Sequence, residues 1–468
     1  MQGMNSQHVD LIYLDPPFNT EKFWMAPVGS KAAGLAFKDM WTWDDVDAEY
    51  LEGLIIDYPS LARYISTIQD NHSKAMMAYS TYMAIRLIEM KRVLKNTGLI
   101  YLHCDSTASH YLKNIMDSIF KRNNFVNEII WQRNDGRAKG SQFGSKKWGA
   151  NTDTILVYSK SNNYKLNPIR KLKQSELQDS KFLNDIGFKY DDNDGKGRYK
   201  KGIPIYRSKG MDPRPNLCFT WRGLKNQSLA GWRLSKERLE EEFQKGNIVL
   251  KKNNLGRVTK IERRLYLKDY TGIAIDNFWD DIARVGEGES TGYRTQKPLK
   301  LMERIIESSS NEGELVFDPF CGTATSCVAS ENLRRRWVGV DLSERSAELV
   351  VNRLSDEYTG GLFGNFIHLK SPPKRDDIEF IDPNSKSVKN ELYVAQKKIC
   401  NGCEVEFLER NLTVDHKLPR SKGGQDFIDN LQLLCGACNS VKGDRPMSYL
   451  LEKNKKVREL LEYKISFQ

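Results

Sequence analysis

The sequence predicts an α/β chain built on an open, doubly wound parallel sheet, followed by a small domain held together by a metal. Three observations carry this. Short apolar runs alternate with segments of helical periodicity from Val9 to Leu354. Two of those runs end in an aspartate and a proline turn, at Asp15-Pro16-Pro17-Phe18 and at Asp318-Pro319-Phe320-Cys321-Gly322-Thr323. Two Cys-x-x-Cys pairs, Cys400/Cys403 and Cys435/Cys438, follow late in the chain.

At 468 residues the chain suggests two or three domains, at ~100–200 residues each. Mean hydropathy is −0.59, and no apolar run approaches the ~18 residues that span a bilayer. The opening Met1-Gln2-Gly3-Met4-Asn5-Ser6 lacks the basic and apolar regions of a signal peptide, so the cytoplasm is the expected compartment, without membrane attachment. A net charge of +11 favours nucleic acid as the partner. Four of the eight cysteines lie in the two pairs, which in a reducing compartment argues for metal over disulfides.

Val9 to Leu14 reads as a buried strand running into Asp15-Pro16-Pro17-Phe18. Two prolines fix the backbone and remove two N–H donors, so the loop offers a carboxylate, bare carbonyls and an aromatic ring in a preset geometry. Such a loop suits an exocyclic amine on a nucleobase: acceptors on the amine hydrogens free its lone pair, and Phe18 stacks on the base. Trp41-Thr42-Trp43-Asp44-Asp45 either lines the same cleft or packs as a surface loop.

Apolar residues at helical spacing from Tyr79 to Leu94 predict a helix that Lys95-Asn96-Thr97-Gly98 stops. Strand Leu99–His103, a helix from Thr107 to Phe120 capped by Asp105 or Ser106, and strands at Val126–Trp131 and Thr154–Tyr158 follow. His103, at a strand end, is better read as a satisfied core histidine than as a cleft residue. Arg133, Arg137, Lys139, Lys146 and Lys147, interleaved with Phe143, Trp148 and glycines, form either a DNA-facing or a solvated basic loop.

From 161 to 292 periodicity weakens. Lys196, Arg198, Lys200, Lys201, Arg207 and Lys209, with Trp221, Trp232 and Arg233, mark this stretch for target recognition. Order resumes with Lys297-Pro298 and a helix bearing Leu301, Ile305 and Ile306, then the strand Leu315–Phe317. The turn from Asp318 to Thr325 opens a helix from Ala324 to Leu333, and its small residues let backbone approach a nucleoside. A second strand, Trp337–Val340, ends in Asp341, placed to accept from ribose hydroxyls.

Together these segments resemble the β class of S-adenosylmethionine-dependent DNA amino methyltransferases, in which the catalytic motif precedes the recognition region and the cofactor motif follows it. The resemblance covers Val9 to Leu354. It implies a Rossmann-like methyltransferase sheet with an inserted target-recognition region, acting on double-stranded DNA. It makes Asp15, Pro16, Pro17 and Phe18 the catalytic loop, with Asp at the first position typical of N6-adenine enzymes and Ser of N4-cytosine enzymes. Lys297, Pro298, Phe320, Cys321 and Gly322 contact the methionine part of the cofactor, Asp318 and Thr323 belong to its turn, and Asp341 holds its ribose. Ala324 stands where many members have glycine, and an alanine there is expected to need a negative φ. A further strand with a Gly-Asp pair, which many members have before the catalytic strand, finds only eight residues ahead of Val9.

The expected layout is a catalytic half at 1–160, recognition at 161–292, a cofactor half at 293–370, a polar linker at 371–390 and a separate domain at 391–468. Cys400, Cys403, Cys435 and Cys438 have the residue types and paired spacing of a tetrahedral zinc site, with 31 residues between the pairs. The insert contains Val414-Asp415-His416, Asp426 and Asn430-Leu431-Gln432-Leu433-Leu434, with Asn439 and Lys442 after the last cysteine. This closely resembles the HNH endonuclease family, a zinc-stabilised ββα-metal fold. The resemblance makes His416 the general base, Asn430 its orienter, and Asp415 and Asn439 the ligands of a divalent ion such as magnesium. The rival expectations are an N4-cytosine methyltransferase and a DNA-binding protein whose methyltransferase fold is inactive. Recognition sequence and oligomeric state are not legible.

Overall fold

A computed structural model describes residues 1–468 apart from 2, 20–21, 27–29, 34–35, 43–53, 56, 134–145, 147, 172–176, 294, 358–366, 370–372, 423, 446, 448, 452 and 456–468. Strand β1, Val9–Leu14, is buried along its whole length near the middle of a seven-stranded sheet. A strand covered on both faces must be apolar on both, which accounts for Val9, Leu11, Ile12 and Leu14. Asp10 breaks the pattern and is compensated: Lys95 Nζ lies 2.7 Å from its carboxylate and the Leu315 N–H donates to it at 3.0 Å.

Helices α1, Pro59–Asn71, and α2, Lys74–Val93, connect β1 to β2, Leu94–Cys104. Ser73 caps α2 by accepting the Met76 N–H at 3.1 Å, and Lys91 and Arg92 complement the dipole at its end. The expected stop, Lys95 to Gly98, belongs instead to β2. Gly98 is required there by close approach, because a Cβ would lie 2.8 Å from the Asp10 carbonyl oxygen. Helix α3, Ser109–Phe120, starts two residues later than expected and has no side-chain cap; Asp105 spends its carboxylate on the Thr107 N–H at 2.9 Å, one turn earlier.

Strands β3, Phe125–Gln132, and β4, Thr152–Ser159, extend one side of the sheet, with β5, Phe278–Trp279, at its edge. On the other side, helix α4, Leu299–Ser309, leads to β6, Leu315–Asp318. Helix α5, Thr325–Asn332, then leads to β7, Arg336–Gly339, which helix α6, Glu344–Glu357, follows. The order is β5-β3-β4-β2-β1-β6-β7. Every pairing is parallel except those of β4, which runs antiparallel to β2 and β3. The sheet is therefore parallel-dominated and not wholly parallel as expected. Adjacent antiparallel strands need no crossover helix, and the link between β3 and β4 is the basic, glycine-rich stretch and not an apolar periodic one.

The chain divides into two compact units, Met1–Asn167 with Asp276–Gln468, and Pro168–Ile275. The second has its own small core of Ile205, Trp221, Trp232, Leu239 and Ile248. Trp221 and Trp232, singled out for recognition, are 1% and 0% exposed and serve that core. Its longest strands, Ile248–Lys252 and Val258–Arg263, form an antiparallel hairpin.

In the first unit, helix α7, Lys386–Ala395, begins within the stretch expected as linker, capped by Ser385. Strands β8, Leu412–His416, and β9, Leu431–Cys435, pair antiparallel, and helix α8, Gly436–Lys442, completes a ββα motif over Leu412, Leu431, Leu433 and Leu434. No helix among the described residues is long and apolar enough to cross a membrane.

Candidate active site and metal centre

Strands β1 and β6 are parallel neighbours in a register that sets Leu11 opposite Val316 and Ile12 opposite Phe317. Both aspartate-proline turns therefore leave the sheet at the same carboxyl edge, where open α/β sheets bind ligands. β7 adds Asp341 just beyond its own end.

Asp15 is ion-paired with Lys297, through its Oδ2. Its Oδ1 is buried and has no hydrogen-bond partner among the described residues. A buried carboxylate oxygen left unmatched costs ~1–3 kcal/mol, so this atom has the capacity to accept a further donor. Lys297, expected on the cofactor, is thus found on the Asp15 carboxylate, with its Nζ also 5.7 Å from the Phe18 ring centroid. Pro16 is buried, while Pro17 and Phe18 are half-exposed beside it.

Asp318 is 4% exposed and accepts from the Phe320 N–H at 3.0 Å and from the Ser326 hydroxyl at 2.5 Å. Burial pushes its carboxyl up to about 7 despite these bonds, with Asp15 and Asp341 adding to the rise. Asp341 is exposed; one oxygen accepts from the Gly322 N–H and the other from the Ser343 N–H, both at 2.9 Å, which fixes the carboxylate yet leaves lone pairs open. Cys321 donates its N–H to the Val340 carbonyl at 3.0 Å, and Thr323 is buried. Ala324 contradicts the expected negative φ: it sits at φ 60°, ψ 29°, as the residue before α5. An alanine so placed carries roughly 1–2 kcal/mol of strain, held here by a fully buried methyl and an N–H bond to Cys321 O at 2.6 Å.

His103 is fully buried, bonded to Tyr13 and Asp153, as a satisfied core histidine should be. Arg133 turns inward to Asp153, at 3.3 Å. Trp148 is 85% exposed, whereas Arg137, Lys139, Phe143, Lys147 and the Trp43-Asp44-Asp45 cluster lie outside the described residues. Trp41 packs on Tyr79 and Tyr82.

The four sulfurs of Cys400, Cys403, Cys435 and Cys438 all lie within 4.8 Å of one another. Backbone N–H groups point at them, from Cys435 to Cys400 Sγ at 3.2 Å and from Cys438 to Cys435 Sγ at 3.5 Å. Gly402 has no room for a side chain, since a Cβ would lie 2.8 Å from Cys438 Sγ. Burial works to raise the Cys400 thiol, but the N–H groups of Cys435, Cys403 and Gly402 outweigh it and lower it toward the thiolate. Four converging sulfurs fit one tetrahedral metal ion.

On β8, His416 Nε2 lies 2.7 Å from Asp426 Oδ1, and Arg420 grips both Asp426 oxygens at 2.9 and 2.7 Å. Asp426, not Asn430, is therefore the side chain in contact with His416. Asn430 exchanges hydrogen bonds with the Leu418 backbone, at 2.9 and 3.2 Å, and donates to Gln425 O at 3.0 Å, stapling the intervening loop. Asp415 accepts from Gln432 at 3.0 Å and is ion-paired at 3.1 Å with Lys442, whose ammonium is fully buried. Asn439 donates to Thr413 at 3.1 Å, so the two expected metal ligands take different partners. Asp426, Gln432 and Lys442 carried no sequence signal of these roles, because each depends on a loop, strand or helix returning to β8.

A family model described as DNA methylase matches residues 9–352, and one described as HNH endonuclease matches 400–445. The type II methyltransferase M.EcaI of Enterobacter cloacae is 32% identical over 286 residues, 59% of this chain and 58% of that protein. The StyLTI Mod subunit, a type III restriction-modification enzyme of Salmonella typhimurium, is 26% identical over 339 residues, 70% of this chain and 47% of its own. The chain spans about half the length of the curated relatives it matches. Among solved structures, the cytosine-N4-specific PvuII DNA methyltransferase superposes with a TM-score of 0.32 at 11% identity, covering 74% of this chain and 80% of that one.

Proposed function

From the chain's membership of the N6/N4 DNA methylase family, with an HNH endonuclease domain behind it, we propose that it methylates adenine N6 in double-stranded DNA and also cuts DNA. The observation that carries the first activity is the buried, unmatched Oδ1 of Asp15. An exocyclic amine conjugated to its ring is a weak nucleophile, and donation of its hydrogens to Asp15 Oδ1 and a proline-loop carbonyl keeps its lone pair available for attack. Lys297 holds the other Asp15 oxygen, which keeps the carboxylate in place as an acceptor. The target base must leave the duplex, at a cost of a few kcal/mol that stacking on Phe18 offsets in part.

S-adenosylmethionine, when bound, supplies the electrophilic methyl group. Asp341 would hold its ribose hydroxyls, and the backbone from Phe320 to Thr323 would approach it closely because Cys321 and Gly322 are small. Methyl transfer from a sulfonium to a positioned amine needs no metal; the protein's work is positioning. The test is transfer of labelled methyl from S-adenosylmethionine to plasmid DNA by the whole chain, and absence of transfer would overturn the reading.

The nuclease reading rests on His416, held by Asp426 and Arg420 as a general base for water. Asp415 and Asn439 would hold a divalent ion such as magnesium, which stabilises charge on the phosphate when bound. Zinc at the four cysteines would be structural. Cys435→Ala is then expected to unfold the ββα motif, since structural zinc contributes folding free energy directly. Limited proteolysis reads this as rapid loss of the region after residue 390, with methylation retained; a protease-resistant variant would contradict it.

Target recognition we assign to the stretch 161–292, with the hairpin of Ile248–Lys252 and Val258–Arg263 as the element that meets DNA. Between Ile248 and Ile261 there are four cations and no acid, and Lys252, Arg257 and Lys260 are exposed around a tip that Asn253 locks by accepting the Leu255 and Arg257 N–H groups. Replacing those three cations by alanine is expected to flatten the salt dependence of DNA binding by roughly 0.9 in log–log slope for each phosphate that is no longer neutralised. Binding titrations over a salt series check this, and an unchanged slope assigns phosphate binding to another part of the chain.

A further inference from the structure

The His103 imidazole lies directly behind the catalytic loop. Its ring is stacked on Phe18, with centroids 6.3 Å apart and planes 21° from parallel. Tyr13 and Trp131 close its flanks edge-on, at centroid distances of 6.3 and 5.8 Å. Both nitrogens are engaged: Nδ1 is 3.1 Å from the Tyr13 hydroxyl, and Nε2 is 3.2 Å from the Asp153 carboxylate. Arg133 anchors the far oxygen of Asp153 at 3.3 Å.

The partners assign the tautomer. An ionised carboxylate only accepts, so Nε2 carries the proton and donates it to Asp153. Burial, reinforced by Asp15, Asp318 and Asp153, holds the Tyr13 phenol far above its usual range, so Tyr13 keeps its proton and donates it to Nδ1. Each ring nitrogen is thus held by one hydrogen bond. Rotating its plane breaks both bonds inside a dry site, at ~1–3 kcal/mol for each group left unmatched.

We infer that His103 is a positioning residue for the target base, acting through Phe18: it is a fixed back wall that sets the plane of the Phe18 ring, whose other face receives the flipped base with its amine at Asp15 Oδ1. The inference rests on the methyltransferase reading. Strands β1 and β4 each contribute one polar side chain, Tyr13 and Asp153, to fix this single ring of β2, although an aliphatic residue at 103 would fill the core without any buried polar group to satisfy. A fully satisfied buried network fixes orientation. Orientation is what this reaction needs, since a misplacement of about 1 Å costs roughly 10²-fold in rate.

The test measures methyl transfer to plasmid DNA by the full chain carrying Tyr13→Phe, Asp153→Asn, or both, each also in a Phe18→Leu background, with S-adenosylmethionine affinity measured by calorimetry. Each single variant is expected to lower kcat about tenfold while cofactor affinity stays within about twofold. The pair should lose little more than the worse single variant, because both act on one ring. In the Phe18→Leu background Tyr13→Phe should change kcat by less than about twofold. A tenfold loss that persists in that background, a parallel loss of cofactor affinity, or full activity in both single variants overturns the inference. Tyr13→Phe removes one hydroxyl and keeps the ring, so it decides the matter even if Asp153→Asn fails to fold. A wild-type chain that transfers no methyl group to DNA overturns the methyltransferase reading and this inference with it; a methylating wild type with unaffected variants overturns the inference alone.

Discussion

Asp15→Ala is expected to lower methyl transfer by roughly 10²–10⁴-fold, the range for losing a side chain that engages the reacting group's protons, while S-adenosylmethionine still binds within a few-fold. In the proposed reading the carboxylate serves the amine, through an Oδ1 that no described residue occupies, and Asp341 is the cofactor's acceptor. Asp341→Ala should do the reverse and weaken cofactor binding first. Kinetics on plasmid DNA and calorimetry with the cofactor separate the two, and equal loss of cofactor affinity in both variants would mean that the carboxylates have been assigned the wrong way round. Lys297 sharpens the expectation. Its ammonium sits on Asp15, so Asp15→Ala also strands a buried cation that is 12% exposed, and Asp15→Asn, which retains a carbonyl acceptor, should be the milder variant.

His416→Ala is expected to abolish nicking, by ~10²–10⁴-fold for loss of a general base, and to leave methylation unchanged. The two sites sit on different elements, the carboxyl edge of the large sheet and the β8–β9 hairpin, and draw on different chemistry. Asp426→Asn should follow His416→Ala in direction with a smaller loss, because Asp426 orients the imidazole. Brief chelation should stop nicking, spare methylation and act before loss of zinc unfolds the ββα motif, since a hydrated catalytic ion exchanges more easily than one held by four thiolates. Parallel assays on one plasmid decide this; methylation that vanishes with His416→Ala would overturn the division of labour.

Much of this architecture was legible because strand ends and chemistry coincide in sequence. Asp15, Asp318 and Asp341 each close an apolar run, and parallel pairing brings such ends to one edge whatever the intervening text contains. The four cysteines were legible for a similar reason, as two local turns each supply two sulfurs. Partners that meet only through tertiary structure were not. Lys297 lies 282 positions from Asp15, Asp153 lies 50 from His103, and neither separation carries a period or a turn signal. The reversal of β4 was hidden because the residues within a strand do not encode its direction. Trp221 and Trp232, which beside lysines and arginines mark their stretch for target recognition, instead serve the core of the small unit Pro168–Ile275, a role that composition does not reveal. Ala324 shows that tertiary packing can hold a left-handed alanine where local preference argues against it.

The most direct test of the central claim is nucleoside mass spectrometry of DNA from a host expressing the chain, beside the same host expressing Asp15→Ala. The account predicts N6-methyladenine with the wild type, its absence with the variant, and no N4-methylcytosine in either. N4-methylcytosine in place of the adenine product would contradict the base assigned to Asp15, and host DNA that gains neither base would contradict the account as a whole.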